Sequence, residues 1–183
     1  MSTSKRIVMG TVALLAACAS QPQSQPQSGK PPALGTAVSA DEIARWDISI
    51  PPSGAGLPAG SGSVKQGEAV YTAKCQSCHG EKGIGKPADA LVGGKGTLAT
   101  RAPVRTVGSY WPYATTLFDY VRRAMPITNP LSLSNDEVYA VSAYVLNLNG
   151  IVPADAVMNA QTLPQVKMPN REGFVSDWPP RPR

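Results

Sequence analysis

The chain has 183 residues, 17 Lys and Arg against 12 Asp and Glu, a formal charge of +5 and a single His. That balance is too weak for a nucleic-acid footprint, and the length suits one domain with arms. Eighteen Pro and 17 Gly gather mostly outside the central region, so much of the chain is not packed core.

Residues 1–17 read as an export signal. Lys5 and Arg6 form a basic start, and Ile7 to Ala17 is apolar but too short to span a bilayer. Removing both charges with the leader leaves 15 basic against 12 acidic residues. Leu15-Ala16-Ala17-Cys18 resembles the lipobox of bacterial lipoproteins, in which the cysteine is acylated and becomes the mature N-terminus. The alternative is plain cleavage at Ala17-Cys18-Ala19, an A-x-A-like site. The first reading anchors an exported chain to the membrane by a lipid on Cys18, facing the periplasm. Ala19 in place of Asp leans it toward the outer membrane. The second reading leaves it soluble in the periplasm. Residues 18–40 are a Gln/Pro/Ser tether with little to bury. As flexible coil, ~20 such residues span about 25 Å.

Residues 41–62 form an arm. Trp46, Ile48 and Ile50 alternate with polar residues, which predicts an extended strip, and Pro51, Pro52 and a Gly-rich run follow. The arm is expected to lie over the following domain or over a partner. That domain is read as residues 63–150. Ser63 is placed to cap a helix running through Tyr71 towards Cys78, and Gly67 within it implies close approach of another helix.

The helix leads into Cys75-Gln76-Ser77-Cys78-His79, a C-x-x-C-H. This spacing is the attachment signature of a c-type haem. On one helical turn Cys75, Cys78 and His79 stand at i, i+3 and i+4 and share a face. Two thiols can then bond one porphyrin edge while the imidazole reaches the iron. Half of a zinc site is one alternative, but structural zinc takes four ligands, and the chain has three Cys and one His in all. A thioredoxin-like redox pair is the other, and it expects a βαβ surround. The reading is one covalent haem c.

Gly80 to Pro112 carries loop signals, long enough to wrap a bound body. Pro87 is a candidate to accept a hydrogen bond from His79, and Arg101, Arg105, Tyr110 and Trp111 are candidate donors to the haem propionates. Pro112 is placed at the first position of a helix with Leu117, Tyr120, Val121 and Ala124 on one side. Met125-Pro126 ends it. With no second His, the candidate distal iron ligand is Met125, 46 residues past His79; Met158 and Met168 lie farther on. Core filling is the alternative role for Met125. Ser134-Asn135-Asp136-Glu137 is a capping box that opens a helix with Val138, Val141, Val145 and Leu146, stopped at Gly150. Residues 151–183 are a Pro-rich tail.

Taken together, these features resemble a class I c-type cytochrome: an all-α fold of few helices around one covalent haem, here with extended N- and C-terminal arms. The resemblance implies that the first and last helices cross at a small residue and an aromatic, which would be Gly67 and Tyr144. A narrower likeness is to the cytochrome subunits of bacterial sulfite and sulfane dehydrogenases. It rests on the runs Thr106–Thr116 and Asp119–Pro126, on Val166-Lys167-Met168-Pro169-Asn170-Arg171, and on the arm Gly54–Ser63. It implies a monohaem electron-transfer protein that is not an enzyme alone. Its donor would be a molybdenum-containing dehydrogenase subunit, and its acceptor a downstream cytochrome or oxidase. The arms would widen the contact with the donor. The alternatives are a generic membrane-tethered carrier between respiratory complexes and a haem enzyme or sensor with an open iron position.

Overall fold

Two Ser-led capping boxes start the two helices that meet at the centre of the molecule. The computed structural model describes residues 34–175. The signal segment, Cys18, most of the tether and residues 176–183 lie outside the described residues. Contacts divide the chain between Ser39 and Ala40, and residues 34–39 are exposed and irregular. In chain order the elements are α1 (Ala40–Trp46), β1 (Ser61–Ser63), α2 (Val64–Lys74), α3 (Gln76–His79), α4 (Ala114–Ala124), α5 (Asn135–Leu148) and β2 (Val157–Asn159). Short 3-10 turns occupy Glu81–Gly83 and Leu163–Gln165.

Ser63 Oγ accepts the Gln66 N–H at 3.3 Å while Gln66 Oε1 accepts the Ser63 N–H at 2.8 Å, and α2 begins there. Ser134 and Glu137 start α5 by the same exchange. Residues Val138 to Leu146 of α5 are all buried. A helix apolar on every side must be surrounded, and here it is. Gly67 brings α2 against it: a Cβ there would strike the Ala140 carbonyl and lie 2.8 Å from Tyr144 Cβ. The Tyr71 and Tyr144 rings pack 5.3 Å apart beside that crossing, so Gly67 and Tyr144 fill the expected roles. From the other side α4 sets Phe118 against Tyr139, ring centres 4.5 Å apart. Each such buried side chain contributes about 1.5–3 kcal/mol. At the far end of α5, the Gly150 N–H bonds to the Asn147 carbonyl and the Ile151 N–H to the Leu146 carbonyl. Gly150 has φ +66°, and this is the left-handed stop its residue type predicts.

The structure corrects several expectations. Two three-residue strands, β1 and β2, pair antiparallel with Gly62 opposite Met158, so the fold is helical but not purely so. Strands this short carry no readable period. Residues 40–46 form α1, so Trp46 ends a helix where an extended strip over Trp46–Ile50 was expected, and residues 47–50 carry no regular structure. Ile50 is buried, while Trp46 is 83% exposed. Helix α4 starts at Ala114, two residues later than Pro112 suggests, because Tyr113 is extended, with its ring under the Arg171 guanidinium at 4.9 Å. Its buried residues are Ala114, Thr115, Leu117, Phe118 and Asp119, and Tyr120 points away, 47% exposed. The C-terminal segment packs on the core: Met158, Leu163, Val166 and Met168 are all buried.

Candidate haem site

The Cys–His turn is built by the end of α2 and the start of α3. Helix α2 stops at Cys75, whose φ/ψ of −123°/−36° breaks the ladder. The Cys78 and His79 N–H groups both bond to the Cys75 carbonyl, at 3.1 and 3.0 Å. That closes one helical turn, so the spacing inferred from sequence is the spacing present. The Tyr71 hydroxyl donates to the Gly80 carbonyl at 2.8 Å and ties α2 to the exit of the turn. Burial pushes the Tyr71 hydroxyl up to about 12, so it stays a donor. Past the turn the chain folds back on it: the Gly85 N–H bonds to the His79 carbonyl and the Ala88 N–H to the Cys78 carbonyl, both at 2.8 Å.

His79 Nδ1 lies 2.9 Å from the Asp89 carbonyl. A carbonyl only accepts, so Nδ1 carries the proton and Nε2 keeps its lone pair for a metal. The acceptor expected from sequence was Pro87; the structure assigns that role to Asp89, two residues on. Pro87 itself is exposed. No sequence signal marks Asp89, because the contact uses a backbone carbonyl that any residue supplies.

Cys75 is half-buried, Cys78 is exposed, and both are free thiols. Burial pushes the Cys75 thiol up to about 11. Redox CxxC pairs work through a lowered thiol, and among the described residues the sole sheet is a two-stranded antiparallel ribbon. Nor do the described residues hold any group of three or more His, Cys, Asp or Glu fit for a bare metal ion. Both alternatives to haem attachment therefore lack their surroundings. The donor set fits haem: two free thiols on one turn and an imidazole whose Nδ1 is held by a backbone carbonyl. Exposed large apolar side chains occur on the same part of the chain and on the link after Met125. Ile84, Ile127 and Leu131 are 70%, 73% and 62% exposed.

The loop after Gly85 is held by a polar knot that the sequence did not reveal. The Thr106 hydroxyl donates to the Gly93 carbonyl and Ser109 Oγ to the Val104 carbonyl, each at 2.6 Å, and both residues are buried. Asn149 at the end of α5 donates to the Leu91 carbonyl at 3.1 Å. Arg101 and Arg105 are exposed, and Arg105 lies over the Tyr110 ring at 5.5 Å. Tyr110 packs edge-on against Phe174, and half-buried Trp111 edge-on against Tyr120. Among the described residues none of these four side chains donates a hydrogen bond. Met125 is half-buried at the C-cap of α4, in extended conformation.

Comparison with known proteins agrees with this geometry. The family described as cytochrome c oxidase, cbb3-type, subunit III, matches residues 62–145. No curated protein matches the chain. Among solved structures, the sulfane dehydrogenase SoxCD from Paracoccus pantotrophus contains a chain 43% identical to this one. The match covers 79% of this chain and 72% of that one, with a TM-score of 0.75.

Proposed function

The chain belongs to the c-type cytochrome family and carries one haem c on Cys75 and Cys78, and from that premise we propose that it relays electrons from a molybdenum-containing sulfite or sulfane dehydrogenase subunit to a downstream cytochrome or oxidase. The observation that carries the donor is the 43% identity, across most of both chains, to a chain of a sulfane dehydrogenase structure. When bound, the haem supplies an iron that gains and loses one electron.

The chain's own residues do the rest. Cys75 and Cys78 fix the ring on the α2–α3 turn. The Asp89 carbonyl orients His79, whose Nε2 would then hold the iron. Met125 would be the second protein ligand to the iron, and a soft sulfur there would favour the reduced state and raise the potential. Exposed apolar side chains such as Ile84, Ile127 and Leu131 would be the candidates to keep water from the ring. The membrane reading is part of the proposal: Cys18 carries the lipid, and the tether holds the domain on the periplasmic side, at the outer membrane. Cys18→Ala then moves the protein from the membrane to the soluble fraction.

The test is stopped-flow mixing of oxidised cytochrome with the exported molybdenum subunit and sulfite. Rapid haem reduction is expected. A haem that stays oxidised there, yet is reduced by another dehydrogenase, leaves the generic carrier and removes the specific donor.

A further inference from the structure

Residues 48–61 cross two helices and are bonded to each. On α4, Arg122 donates to the Ile48 carbonyl at 3.4 Å, Asp119 Oδ1 accepts the Ile50 N–H at 3.0 Å, and Thr115 Oγ1 donates to the Pro52 carbonyl at 3.3 Å. On α5, Tyr139 Oη donates to the Pro58 carbonyl at 2.8 Å, Asn135 Nδ2 donates to the Ala59 carbonyl at 3.3 Å, and Asp136 Oδ1 accepts the Ser61 N–H at 2.7 Å. The segment is therefore a strap between α4 and α5. Those two helices flank the link that begins with Met125. The link is mostly exposed: between Ile127 and Ser134 only Leu133 is buried, a single turn bonds the Asn129 N–H to the Pro126 carbonyl at 2.8 Å, and the Met125 N–H bonds back to the Val121 carbonyl of α4 at 3.1 Å. Whatever fixes Met125 must then come largely from the helices on either side.

Asp119 is the buried anchor of the strap. It is 8% exposed; one carboxylate oxygen takes the Ile50 N–H and the other pairs with Arg123 one turn along. Burying a carboxylate is costly unless every oxygen is matched, and here one of the two matches is arm backbone.

We propose that Asp119 is a positioning residue for electron transfer: by locking the strap to α4 it fixes the end of that helix and holds Met125 at the haem. The proposal rests on Met125 being the distal ligand. It is tested in the holoprotein with Asp119→Ala, Asp119→Asn and Thr115→Val, read by the far-red iron–sulfur band, the midpoint potential and exchange of the Ile50 amide. Asp119→Ala should speed Ile50 exchange about 10- to 100-fold, weaken the band and lower the potential, with covalent haem content unchanged. Asp119→Asn keeps an acceptor oxygen and should recover most of the band. Thr115→Val, nearly isosteric, keeps the fold while removing one strap bond, and should shift band and potential the same way by less. Faster Ile50 exchange with wild-type band and potential in both the Ala and Val variants overturns the strap alone. A band that Met125→Ala leaves intact and Met168→Ala removes overturns the ligand reading, and the strap's role with it.

Discussion

Helix α5 and the segment from Gly80 to Pro112 solve burial in opposite ways. In α5 every residue from Val138 to Leu146 is buried by protein, from α2, α4 and the returning C-terminal segment. In the 80–112 segment the buried residues are glycines and the Thr106–Ser109 knot, while Ile84 and Val104 stand 70% and 46% exposed. One region is completed by its own chain. The other is a wall pinned by backbone and hydroxyl bonds, whose apolar side chains need something else to cover them.

The sharpest break in that comparison is removal of the covering group. Cys75→Ala with Cys78→Ala should abolish covalent haem altogether, measured by haem staining after denaturation. Limited proteolysis should then cut within 80–112 before α5. Full covalent haem in the double variant would sink the site.

Gly67→Ala attacks the completed side. Its Cβ meets the Ala140 backbone, which cannot swing aside as a side chain can. We expect a loss of about 3 kcal/mol in denaturant unfolding, at the upper end of overpacking costs. A loss under ~0.5 kcal/mol would mean that the two helices are not locked.

Ile127→Ser probes the open side. At 73% exposure an ordinary surface change would shift stability by within about 0.5 kcal/mol. Covered by haem, Ile127 should instead cost about 2 kcal/mol in the holoprotein. The size of that loss says whether the exposed residue is wall or surface.

The smallest expected effect is electrostatic. Glu137 at the start of α5 bonds Lys74 at the end of α2, 2.7 Å away, and this bond, with the Ser134 N–H, holds its carboxyl below the ordinary value of 4.5. The folded value is the lower one, so the bond's contribution is fully present above about pH 4.5. It disappears as pH falls through the folded value. Both side chains are about a third exposed, so the expected contribution is under about 1 kcal/mol. Glu137→Gln should therefore lower the unfolding midpoint slightly at pH 7, and by progressively less as pH falls below the ordinary carboxylate value.

Much of this was legible in the sequence because local chemistry decides it. The Ser63 cap, the Ser134–Glu137 capping box, the Gly150 stop and the C-x-x-C-H turn depend on residues a few positions apart, whereas the pairing of Gly67 with Tyr144 came from the family resemblance. What was not legible depends on backbone partners far along the chain. The Asp89 carbonyl on His79 carries no side-chain signal. The β1–β2 ribbon joins residues almost a hundred positions apart. Asp119 reads as a polar residue in an amphipathic helix until the Ile50 N–H is seen on it. The C-terminal segment looked like a tail because of its prolines, but a short strand, a 3-10 turn and irregular chain bury Met158, Leu163 and Met168 as well as a helix would.

The central claim is a single covalent haem held between His79 and Met125 that moves one electron. Reductive titration of the oxidised protein, followed in the visible and far-red, tests it directly with wild type and Met125→Ala side by side. The account predicts one electron per chain, a far-red iron–sulfur band in oxidised wild type, and its loss with a lower potential in Met125→Ala. A band unchanged in Met125→Ala, or a five-coordinate reduced spectrum in wild type, would contradict it.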